Sequence, residues 1–213
     1  MKASPEINEQ IEKRPDPAML AEAKESIARW LKEYQRANMP APSRPHVMFH
    51  DDGPTRFSMA DPPEAVIEDN RRFVREAMQD NALFSTRQFQ SLYHAWEKNI
   101  GKKISYSSQL LNELVMLKMD PVQFYKAAGI SRQVFHKLKT DYLYKPSRET
   151  AIRCSLALHH SFDRACFFMH LAGHSFSPCD SRDLALRYCL DYEIYDLSTV
   201  NALLDALDEK PLA

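Results

Sequence analysis

Proline placement constrains this chain more than any other feature. Nine of its thirteen prolines (Pro5, Pro15, Pro17, Pro40, Pro42, Pro45, Pro54, Pro62 and Pro63) precede residue 64. Proline fixes φ and lacks a backbone N–H, so helix interiors exclude it. The first sixty residues therefore cannot form one continuous helical core. They read as a polar leader, one helix and a proline-rich connector. The helix is "PAMLAEAKESIARWLKEYQRAN", with Pro17 at its first turn after Asp16 as cap. Leu20, Ala23, Ile27, Trp30, Leu31 and Tyr34 recur there at helical spacing. Such a stripe must bury against the rest of the chain or against a partner. The connector "MPAPSRPHVMFHDDGPTRFSMADPP" has the length of a functional or flexible segment.

From Pro63 onward the pattern is helical and shows no sustained strand alternation. "PEAVIEDNRRFVREAMQDNALF" and "STRQFQSLYHAWEKNI" form a hairpin, and "GKKISY" breaks the pattern. Short helices follow, each with a stop or a cap. "SSQLLNELVMLKM" ends before Asp120-Pro121, and "PVQFYKAAG" ends at Gly129. Ser131, Ser147 and Ser161 cap the next three helices. "SRDLALRYCLDY" and "STVNALLDAL" close the chain. The expected fold is all-α: an N-terminal helix with a proline-rich connector (residues 1–62), a helical hairpin (63–103) and a compact helical domain (104–213).

The total charge of −1 hides a strong segregation. From Lys118 to Arg153 there are eight Lys and Arg against three Asp and Glu. From Cys154 onward there are four against nine. The basic block coincides with "YKAAGISRQVFHKLK", in which two short helices meet at Gly-Ile-Ser. Glycine after a helix takes the left-handed conformation and turns the chain sharply. This spacing predicts a helix-turn-helix. Arg132, Gln133, His136, Lys137 and Lys139 then fall largely on the outer face of its second helix. These are donor types that read base edges or hold phosphates.

The run from Ser107 to Gly173 resembles the lambda-repressor-like (Xre-type) helix-turn-helix domain. "GISRQVFHKLK" followed by "SRETAIRCSLALHHSFDRACFFMHLAG" carries the resemblance. "DYLYKPSRETAIRCSLALHHS", "LAGHSFS" and "DLALRYCLDYEIYDLSTVNALLDALDEKPL" are similar to a C-terminal module of uncharacterised bacterial proteins. In some of those it follows a macro domain, of which this chain shows no sign. The resemblance covers roughly the last half of the chain. It implies a DNA-binding regulator that inserts the helix after "GIS" into the major groove and often acts as a dimer. Arg132, Gln133 and His136 would then lie near base edges, and Lys137, Lys139, Lys145 and Arg148 nearer phosphates. The family usually has a small residue where Tyr125 stands, which implies altered packing between the two helices.

The rival expectation is an adaptor using the helical domain and the N-terminal extension for protein contacts in a bacterial multi-component system. It rests on the aromatic-rich set Tyr125, Phe135, Tyr142, Leu143 and Tyr144. The N-terminal helices would supply a homodimer or partner contact. Arg71, Arg72 and Arg75 could extend a nucleic-acid surface. A metal set of Cys166, His170, His174 and Cys179 is disfavoured, because Gly173 should end the helix before His174 aligns and Cys166 sits in a core-like run. His159 and His160 suit a helix C-terminus. "HVMFHDD" (His46, His50, Asp51, Asp52) is the one place to look for an enzyme. No phosphate-cradling glycine loop, nucleophile elbow or C-x-x-C pair occurs. The sequence thus points to a non-enzymatic, cytoplasmic protein with no cofactor, no metal, reduced thiols and no membrane span.

Overall fold

The computed structural model describes residues 15–38, 68–69, 71–72, 86–99 and 104–212. Among them all regular structure is helical, as the proline and periodicity pattern requires. The nine helices are α1 (Pro17–Asn38), α2 (Arg87–Asn99), α3 (Tyr106–Met116), α4 (Pro121–Ala127), α5 (Arg132–Thr140), α6 (Arg148–Ala157), α7 (Phe162–Ala172), α8 (Ser181–Asp191) and α9 (Leu197–Ala206).

Helix starts follow the side chains that can satisfy free amides. Ser131, Ser147 and Ser161 cap α5, α6 and α7 as expected, each accepting from the amide three residues on. Asp120, Asp180 and Asp196 do the same work for α4, α8 and α9. Ser105 caps α3 in a reciprocal box with Ser108.

Helix ends follow a second rule. Six helices close with one left-handed residue, whose successor donates its amide to a carbonyl five positions back. Glycine fills that position after α4 (Gly129) and α7 (Gly173). Lys118, His159, Glu193 and Asp208 fill it after α3, α6, α8 and α9. With four glycines in 213 residues, the chain uses ordinary side chains where glycine is the easier choice.

The core is continuous. Helix α6 lies at its centre, with Thr150, Ala151, Ile152, Cys154, Ser155, Leu156 and Ala157 all buried. It packs on α4 on one side and α7 on the other. Helix α2 sends Phe89, Leu92 and Trp96 against α3, α4 and α5. Its apolar stripe thus joins the same core as the helices that follow "GKKISY". At the far end α8 packs on α7, α9 and α1. The α1 stripe is satisfied within the chain: Ala23 and Ile27 are buried, Tyr188 Oη donates to Glu22 at 3.3 Å, and Arg187 lies 4.4 Å over the Trp30 ring. No helix among the described residues is long and apolar enough to cross a membrane.

Candidate nucleic-acid interface

The basic segment folds into a tight corner between α4 and α5. Gly129 has φ +58°, and its amide bonds to Lys126 while Ile130 bonds back to Tyr125. Ile130 is buried beneath the corner. Arg153, from α6, donates Nη1 to the Gly129 carbonyl at 3.1 Å. Leu197, at the start of α9, packs so closely that a Cβ on Gly129 would stand 2.9 Å from it. The corner is therefore braced from two sides.

Phe135 and Leu138 fix the rotation of α5 by facing inward. The Phe135 ring lies 5.7 Å from Phe124 and 5.9 Å from Tyr125. Tyr125 thus fills the space between the helices where a small residue would let them approach. Arg132, Gln133, His136 and Lys137 are exposed on the opposite face. Among the described residues none of these four forms an ion pair. Lys139 is half-buried and donates to Ser91 Oγ of α2 at 2.8 Å. Burial first, then the nearby Arg132 charge, holds its ammonium below the ordinary value.

The other two predicted contacts separate. Lys145 is exposed, with its ammonium over Gly173. Arg148 is half-buried and turned inward, pairing with Asp183 and lying near the Ser175 carbonyl. Asp183 is 4% exposed and also accepts from the Ser177 amide at 2.7 Å. Arg148 is thus engaged in joining α6 to α8. Arg71 and Arg72 are matched locally by Glu68 and Asp69. Arg75, His46, His50, Asp51 and Asp52 lie outside the described residues.

The aromatic set resolves mostly into core. Phe135 is buried, and Tyr125, Tyr142 and Tyr144 are partly buried, while Leu143 is 76% exposed. Gly173 ends α7 with φ +83°, so His174 leaves the helical line and its Nε2 stands 3.3 Å from the Pro146 carbonyl. No group of His, Cys, Asp and Glu among the described residues could hold a metal ion. Burial pushes the Cys154 and Cys189 thiols up to about 12 and Cys166 to about 11. Thiols held that high are protonated near neutral pH and are weak nucleophiles.

A different constellation lies inside. His160, 5% exposed, places Nε2 2.5 Å from Glu113 Oε2. Arg164 donates Nε to Glu113 Oε1 at 2.6 Å and stacks over Phe167 and Phe168. Burial would raise the Glu113 carboxyl. The His160 hydrogen bond and charge, with those of Arg164, outweigh it, and the net direction is down. This cluster ties α3 to α7. Behind the corner, an open cleft of about 650 Å³ is lined by Lys126, His159, Glu193, Tyr195, Asp196 and Leu197. His159 and Tyr195 stack within it, ring centroids 4.4 Å apart.

No family model, curated protein or solved structure matches this chain.

Proposed function

We propose that the protein binds duplex DNA, with α4, the corner and α5 acting as an Xre-type helix-turn-helix, and that it serves as a regulator. The carrying observation is the outer face of α5, where Arg132, Gln133, His136 and Lys137 are exposed and, among the described residues, Arg132 and Lys137 pair with no carboxylate. A nine-residue helix is about 13 Å long, and the B-form major groove is about 12 Å wide. Arg132 and Gln133 stand at the N-terminal end of α5, the end that meets base edges in helix-turn-helix docking. His136 follows one turn on. Lys137 on α5 and Lys145 beyond its C-terminal end would meet phosphates, and Arg148 is omitted because Asp183 engages it.

The adaptor reading asks for a contiguous apolar patch beside α5. Of the five residues that suggested one, Leu143 alone is exposed, which favours the nucleic-acid reading.

The test is binding of the full chain to a short duplex across a salt series. Phosphate contacts release counterions, so the logarithm of affinity should fall linearly with that of salt. The Lys137→Glu/Lys139→Glu double variant should lose duplex binding at least tenfold and keep its helical circular dichroism. Failure of the unaltered protein to bind duplex DNA at low salt overturns the proposal, and so does full binding by the charge-reversed variant.

A further inference from the structure

The exposed face of α2 continues the basic surface of α5, although the two lie far apart in sequence. Arg87, Ser91, His94 and Lys98 recur at i, i+4, i+7 and i+11, so they share one stripe. All four are exposed, and the buried Phe89, Leu92 and Trp96 occupy the opposite side. Among the described residues Arg87 and Lys98 form no ion pair, and His94 stands 4.0 Å from Glu97.

The junction between the helices is specific. Lys139 reaches across to donate to Ser91 Oγ, and the serine keeps its own O–H to donate elsewhere. Arg132 shares the α5 face with Lys139, two turns earlier. A cation and a hydroxyl donor thus meet at the α2–α5 seam, with the Arg132 charge near enough to disfavour the Lys139 ammonium. Unneutralised like charges repel, and an anion placed between them would turn that cost into attraction. A phosphodiester oxygen suits such a donor pair.

We propose that α2 is the second half of the interface. Ser91 and Lys139 would hold one backbone phosphate, and Arg87 and Lys98 would meet its neighbours along the strand. This rests on the DNA-binding reading above and adds to it a segment outside the corner. At about 1.5 Å per residue, Arg87 and Lys98 lie roughly 6 Å and 10 Å along the axis from Ser91. Helix α5 would then read bases while α2 rides the adjacent backbone and fixes the angle of entry.

The experiment compares the salt dependence of duplex binding for the unaltered chain and two double variants. Arg87→Ala/Lys98→Ala removes two charges from the α2 stripe. Arg29→Ala/Lys32→Ala removes two exposed charges from α1, which packs on α8. The α2 pair should flatten the log–log salt slope by about two, one per lost phosphate contact. The α1 pair should leave the slope where it was. Equal slopes for both pairs overturn the α2 assignment and leave the corner reading standing. Absence of duplex binding by the unaltered protein overturns both. Binding to polyglutamate as tight as to duplex shows a generic surface for acidic polymers and likewise overturns the assignment. If the alanine pair loses helicity, Arg87→Gln/Lys98→Gln reads the same quantity.

Discussion

The arginines of the C-terminal helices and the cations of α5 do opposite jobs. From α6 onward four of the five arginines, Arg148, Arg164, Arg182 and Arg187, pair with a carboxylate (Asp183, Glu113, Glu149 and Asp191), and the fifth, Arg153, donates to the Gly129 carbonyl. On α5 no carboxylate pairs with Arg132 or Lys137 among the described residues. One region uses cations to tie helices together. The other leaves them bare, at the cost of repulsion. A near-zero net charge says nothing of this division, which comes from where each carboxylate stands in three dimensions.

The largest effect is expected where the pairing is densest. Glu113→Gln strands His160 and Arg164 together and should lower unfolding stability by about 3 kcal/mol in urea titrations. The same variant should lack the part of the acid response that Glu113 supplies. A carboxyl whose folded value lies below its ordinary 4.5 contributes stability that is complete above that value. The contribution is lost as pH falls through the lower, folded value. The gap between the two proteins should therefore narrow on acidification below about pH 4.5. A constant gap down to pH 3 would show that the cluster is not what Glu113 contributes.

A smaller effect tests the corner that positions the bare face. Gly129→Ala places a side chain at φ +58° and against Leu197. It should cost about 1–2 kcal/mol, mainly from the backbone conformation, because the Leu197 tip can move. The smallest effect sharpens the contrast from the α5 side. Lys139→Gln should change stability by no more than about 0.5 kcal/mol, in the stabilising direction, since burial and Arg132 both disfavour its charge. A loss approaching that of Glu113→Gln would mean that α5 cations are structural after all.

Local rules made much of the fold legible. The α1 boundaries, the serine caps of α5, α6 and α7 and the left-handed glycines at 129 and 173 all follow from neighbours within a few residues. The left-handed ends at Lys118, His159, Glu193 and Asp208 were not legible, because those residue types do not announce that conformation. The candidate surface divides in the same way. Helical periodicity places Arg132, Gln133, His136 and Lys137 outward. Nothing local tells that Arg148 is taken by Asp183, 35 residues on, or that Lys139 meets Ser91, 48 residues back. Tertiary packing fixes those partners, and a single sequence carries no sign of them.

The packing of α1 on α8 has an optical consequence. The chain has two tryptophans, and they sit in different neighbourhoods. Trp96 is 2% exposed and donates its indole N–H to Asn112, within the group of helices that carries the basic corner. Trp30 lies under the Arg187 guanidinium, where α1 meets α8. Replacing either with phenylalanine leaves a single tryptophan, which can be excited apart from the tyrosines at long wavelength, so emission from Trp30 reports when α1 leaves α8 and emission from Trp96 reports when the corner's support dissolves. The protein is thereby built with a separate reporter for each of the two regions contrasted above.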